Sequence, residues 1–185
     1  MRPFFIVDII SERRNIMSKF RPIELSVDEI CDVVTYFKET GSFVWARARK
    51  GASAGSKAGS IHAKGYITIR IHGRPYLAHR LAWYIVTGEQ PEQIDHINGV
   101  KDDNRICNLR AATPNQNQHN KSLNKNNTSG VKGVSWNKSK GKWEARVWLN
   151  GKGYRLGRFS DLAMADAAVR KFRKENHKDF CNHGD

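Results

Sequence analysis

The sequence predicts an α+β fold in two units, and three observations carry that reading. Apolar residues switch between helical spacing and strict alternation several times along the chain. The segment 120–129 (NKSLNKNNTS) is rich in Asn, Lys and Ser and divides the chain as a solvated linker. Beyond it come three alternating segments and one helical segment, enough for a small sheet packed on one helix. A chain of 185 residues accommodates two such small cores and no large one.

Taken in order, residues 1–25 read as a disordered tail. Within it, Glu12-Arg13-Arg14-Asn15-Ile16-Met17 is what a purine-rich ribosome-binding site encodes when translated in frame, which points to Met17 as the start. Residues 26–39 carry Val27, Ile30, Val33, Val34 and Phe37 at helical spacing behind Ser26, with Glu29 as capping-box partner. Gly41 ends that helix, and Ser42 to Arg47 reads as a strand. The Gly, Ala, Ser and Lys residues of 50–60 form a loop. Gly65 to Ile71 alternates, His72-Gly73 turns the chain, and Arg74 to Leu77 returns as a strand. Ala78 to Thr87 is an apolar helix stopped by Gly88 and Pro91.

This small α+β unit leads into Ile94-Asp95-His96-Ile97-Asn98-Gly99. Neighbours on a strand point to opposite faces, so Asp95 and His96 serve one target only if the strand ends there. Asn98-Gly99, a loop signal, provides that end. Asn108-Leu109-Arg110-Ala111 returns as the second strand, Thr113 caps a helix, and Pro114 is its first residue. Asn117 then falls in the first turn. An imidazole that titrates near neutrality suits a general base, and a carboxylate with a carboxamide suits a hard cation such as Mg2+ or Mn2+.

Charge names the substrate. Lys and Arg number 32 against 18 Asp and Glu, a formal net charge of +14. Such an excess suits a polyanion, and cations that displace phosphate counterions supply most nonspecific nucleic-acid affinity. No apolar run approaches the ~20 residues of a membrane span, and no basic amphipathic helix with a broad apolar face stands out, so no membrane partner is expected. Cys31, Cys107 and Cys181 lie far apart without a Cys-x-x-Cys pair, which disfavours a zinc knuckle or a disulfide framework and fits a cytoplasmic location.

The motif resembles the HNH nucleases, the ββα-metal class, and within them the phage and intron-type homing endonucleases. The resemblance covers roughly residues 40–120 and includes the lead-in Tyr76-Leu77-Ala78-His79-Arg80-Leu81-Ala82-Trp83. It implies His96 as general base, Asp95 and Asn117 as metal ligands, and Asn108 as the hairpin residue that orients the base. The homing branch uses asparagine at the last motif position, as here. The implied activity is hydrolysis of phosphodiesters in double-stranded DNA with one Mg2+ ion, leaving 5′-phosphate and 3′-hydroxyl ends, by a monomer in a phage-infected bacterium. His79 reads as a helix-packing residue, and His119 lies off the ligand face. Cys107 reads as a buried small hydrophobe, Asp102 and Asp103 as solvated loop residues. Arg110 is open to a phosphate or to a surface salt bridge.

In the C-terminal unit the strands are Gly130 to Asn137, Lys142 to Leu149 and Gly153 to Phe159, followed by a helix over about 161–176. Period two puts Trp143, Ala145, Val147 and Leu149 against that helix and leaves Glu144, Arg146 and Trp148 on the open face. Gly130-Val131-Lys132-Gly133-Val134, Gly141-Lys142-Trp143 and Arg155-Leu156-Gly157-Arg158-Phe159 resemble the ethylene-response-factor (Apetala-two class) DNA-binding domain, over about 129–180. That resemblance implies DNA contacts at Lys132, Ser135, Asn137, Trp148 and Arg155. Arg146 joins them by strand parity. Ser135 and Asn137 stand where the plant pattern has arginines, so base specificity does not carry over. Two other readings remain: a noncatalytic DNA-binding regulator with a vestigial motif, and an RNA-binding module.

Overall fold

The computed structural model describes residues 21–120 and 123–184; the expected tail up to residue 20, with Met17, lies outside the described residues. Residues 21–25 are not a tail. Ile23 is buried, and its backbone N–H and carbonyl are both bonded to the Gln90 amide.

Among the described residues four small sheets and four α-helices follow in order, an α+β fold. The helix α1 (Val27–Cys31) begins with the expected capping box: Ser26 accepts from the Glu29 N–H, and Glu29 reaches back to the Ser26 N–H. It stops far short of residue 39. Val33-Val34-Thr35-Tyr36 is a β-branched and aromatic run, and tertiary pairing draws it into β1 (Val34–Phe37), antiparallel to β2 (Ser42–Trp45). Gly41 turns β1 into β2 at φ +72°, where a Cβ would lie 2.4 Å from the Arg105 nitrogen. That close approach seats the turn on Asn104, whose carbonyl also accepts from the Tyr36 hydroxyl at 2.7 Å.

A second sheet joins β3 (Ser60–Ile61), β4 (Ile67–Ile71) and β5 (Arg74–Leu77). Next comes α2 (Ala78–Thr87), with the expected bounds and a left-handed Gly88 after it. Its buried face, Ala78, Leu81 and Ala82, packs with Ile30, Val34, Phe43, Ile69 and Ile71 into the larger core. Ile94 and Leu109 join this core from β6 (Gln93–His96) and β7 (Leu109–Ala112), which pair antiparallel. A capping box, Thr113 with Gln116, and Pro114 at the first position then start α3 (Pro114–His119).

The C-terminal unit is a sheet in the order β10-β9-β8, built from β8 (Val134–Asn137), β9 (Lys142–Leu149) and β10 (Lys152–Phe159). Its inner residues Val134, Ala145 and Val147 meet Ala165 and Val169 of α4 (Leu162–His177) in a second core. A bulge at Arg155/Gly157, with Gly157 at φ +147°, lets both Leu156 and Phe159 turn inward. The segment 120–129 is not simply a linker: Asn120 is buried, and Ser129 donates to the Val131 and Val134 carbonyls. No helix among the described residues is long and apolar enough to cross a membrane.

Candidate active site

Pairing of β6 with β7 sets Asp95 opposite Arg110 and His96 opposite Leu109, so the carboxylate and the imidazole leave the hairpin on different faces. The loop after His96 is tightly held. Asn108 accepts from the Asn98 N–H at 3.0 Å and donates to the Asp103 carbonyl at 2.8 Å, clamping both ends of the connection. Asp103 is a structural anchor rather than a solvated residue, accepting from the Asn98 amide and from Arg105. The Arg105 guanidinium holds the Asp103 carboxyl down at about 2. Cys107, expected to be buried, is exposed.

His96 is 5 % exposed. Its Nε2 lies 3.2 Å from the Asn104 Oδ1, and its ring stands edge-on to His79 at 5.0 Å and tilted to Tyr66 at 6.0 Å. With the Asn104 amide oxygen as acceptor, the pairing fits the tautomer that carries its proton on Nε2 and keeps a lone pair on Nδ1. Burial lowers the His96 pKa, opposed by the Asn104 bond and by Asp95, so the ring is neutral at neutral pH. His79 is buried too, and burial beside His96 drives it down to about 3. It packs, as expected of a lead-in helix residue.

On the other face, Asp95 is 5 % exposed and accepts through Oδ2 from Arg110 Nε at 2.9 Å and Nη2 at 2.7 Å. The Asn120 amide nitrogen lies 3.0 Å from both carboxylate oxygens and 2.7 Å from the His96 carbonyl. Arg110 thus makes an ion pair with Asp95, and a largely buried one rather than a surface one. Its guanidinium also lies 3.7 Å from the Phe180 ring centroid and donates to the Asp179 carbonyl. Asn117 donates to the Gln93 Oε1 at 2.7 Å, which leaves its amide oxygen available. Among the described residues no three His, Cys, Asp or Glu side chains converge. The Asp95 carboxylate, whose Oδ1 accepts from Asn120, and the Asn117 amide oxygen are donors of the kind a hard ion takes alongside water and phosphate. A cleft of about 970 Å³ opens beside Asn117, lined by Tyr66, Arg74, His79, Arg80 and Gln93 among others.

The HNH endonuclease family matches residues 76–119. Protein 3.8 of Escherichia phage T7 is 36% identical over 105 residues, 56% of this chain and 86% of that protein. This chain belongs to the family of that phage protein and carries an HNH endonuclease domain. No solved structure matches it. The match spans Asp95, His96, Asn108 and Asn117, and ends one residue before Asn120.

The expected DNA contacts fall in two places. Ser135, Arg146, Trp148 and Arg155 are exposed on the open face of the C-terminal sheet, with Trp148 61 % exposed. Arg146 and Arg155 flank Glu144, and Asn137 donates to it, so one carboxylate organises the face. Lys132 sits in the cleft between α3 and the sheet, which Arg146 and Trp148 also line, and donates to the His119 and Asn182 carbonyls. Burial beside Arg173 lowers its ammonium to about 8. Trp136 is 44 % exposed and edge-on to the core-packed Trp143. Asn104 and Asn120, which contact His96 and Asp95, lie outside the sequence motif. The spacing of Asn117 and Asn120 by three on a helix was a usable signal.

Proposed function

We propose that the chain is a homing-type, metal-dependent endonuclease that cuts double-stranded DNA, anchored by a C-terminal sheet of the ethylene-response-factor kind. The observation that carries this reading is His96: buried, neutral, with Nε2 given to Asn104 and Nδ1 left to accept a proton. In the proposed reaction Nδ1 takes the proton of the attacking water, and Asn108 keeps the loop that presents the ring. Asp95 and Asn117 would hold Mg2+ or Mn2+, which when bound supplies positive charge beside the departing 3′ oxygen. Products would carry 5′-phosphate and 3′-hydroxyl ends. The open sheet face, with Arg146, Trp148 and Arg155 exposed beside Ser135 and Asn137, suits a DNA groove, arginine to phosphate or guanine and indole against sugar. The phage relative supports a role in an infected bacterium; the further proposal is that the protein works in its cytoplasm, on DNA, as a monomer.

A second reading draws on Arg110, whose guanidinium already neutralises Asp95: a noncatalytic DNA-binding protein with a vestigial motif. Supercoiled plasmid incubated with purified protein and Mg2+ separates the two. Nicking that EDTA abolishes supports the nuclease, and intact plasmid with retained DNA binding supports the regulator.

A further inference from the structure

The chain that follows α4 comes back to the catalytic hairpin. Asn182 donates through Nδ2 to the Asn120 carbonyl at 2.9 Å and to the Asn120 Oδ1 at 3.2 Å. Two residues earlier, Phe180 lies under the Arg110 guanidinium, and the Asp179 carbonyl accepts from it. Lys132, from the turn before β8, donates to the carbonyls of both His119 and Asn182 and so ties α3 to this segment. The contacts of Asp179, Phe180 and Asn182 end on Arg110 and Asn120, the two side chains that hold Asp95.

The consequence concerns the orientation of one amide. A carboxamide has an acceptor end and a donor end that are nearly equal in shape, and only its partners decide which way it points. Asn182 presents an N–H to Asn120, so the Asn120 oxygen faces the C-terminal segment and its nitrogen faces Asp95 and the His96 carbonyl. Reversed, the same amide would set an oxygen against a carboxylate and against two carbonyls, those of His96 and Ile97. We infer that Asn182 is a positioning residue of the nuclease site: by fixing the Asn120 amide it holds the Asp95 carboxylate and the His96 backbone in register. The C-terminal unit is therefore part of the catalytic domain's support as well as a DNA anchor. This inference rests on the nuclease reading given above.

The test is a double-mutant cycle on the full-length protein, read as steady-state cleavage over a range of plasmid DNA concentrations in Mg2+ with DNA affinity measured separately in EDTA. Asn182→Ala is expected to lower kcat about tenfold, the loss of one neutral hydrogen bond, with KM, DNA affinity and Tm close to wild type. Asn120→Ala falls further, and the double variant falls no further than Asn120→Ala, because Asn182 acts through Asn120. Asn182→Asp, which keeps the shape and loses the donor, is as slow as Asn182→Ala, while Asn182→Gln restores part of the rate. Wild-type kcat in both Asn182→Ala and Asn182→Asp would overturn the inference. So would independent, multiplying losses in the double variant, or a loss seen only in KM. Plasmid left uncut by the wild-type protein would instead remove the nuclease reading beneath it.

Discussion

Replacing Asn104 by alanine removes the one side-chain acceptor on His96 Nε2 without disturbing the Asn104 carbonyl that holds Tyr36. The lost bond is worth roughly 1–1.5 kcal/mol, about tenfold in kcat if the transition state feels all of it. Release of the tautomer adds to this. In the serine-protease triad, where a mis-set imidazole is the whole defect, the loss reaches about 10⁴ and marks the ceiling. The Asn104→Ala rate should therefore fall between tenfold and a few hundredfold. The pH dependence carries a sign. Burial lowers the His96 pKa and the Asn104 bond raises it, so deleting that bond lowers it further and moves the acid limb of kcat/KM to lower pH. Asn104→Asp keeps an acceptor and adds negative charge, moving the limb the other way. Plasmid nicking in Mg2+ across the acid range reads both. An Asn104→Ala enzyme with the wild-type limb and rate would refute the role of Asn104 as the residue that sets the base.

Other outcomes follow from the same geometry. His79 is buried with its pKa pushed from 6.5 to about 3, so the unfolded chain takes up a proton below pH 6.5 that the folded chain refuses. Stability is thus full above about pH 6.5 and declines as pH falls, by roughly 3 kcal/mol two units lower from this group alone; His79→Gln should flatten the Tm-against-pH curve, and an unchanged slope would contradict the assignment. Gly41→Ala places a Cβ on the Asn104–Arg105 backbone at a positive φ and should cost several kcal/mol in chemical denaturation. Arg155→Ala should weaken duplex binding and reduce the salt slope by about one phosphate's worth, with the cleavage step unchanged once DNA is saturating.

Local chemistry made much of this molecule readable. The bounds of α2, the Thr113-Pro114 start of α3 and the β6–β7 hairpin all follow from caps, turns and alternation that act over a few residues. The expected helix over 26–39 failed at Val33-Val34-Thr35-Tyr36, where helical spacing and β-branched composition pointed in opposite directions and pairing with β2 decided. Asp95 and Arg110 are cross-strand partners in the hairpin, a local signal for their ion pair, whereas the Asp179 carbonyl that also holds Arg110 lies 69 residues away. Asn120 and Asn182 meet across 62 residues, and no periodicity encodes such a contact. The family resemblance puts Lys132 among the DNA contacts, on a strand expected from Gly130; β8 begins at Val134, and the turn before it folds Lys132 into the cleft.

One comparison bears on the whole scheme: His96→Ala beside wild type, in single-turnover plasmid cleavage with Mg2+ and in duplex binding with EDTA. Proton removal by His96 requires that the variant bind DNA as tightly as wild type and leave it uncut. Cleavage by His96→Ala at the wild-type rate would mean that some other group activates the water, and that the buried imidazole is there to pack.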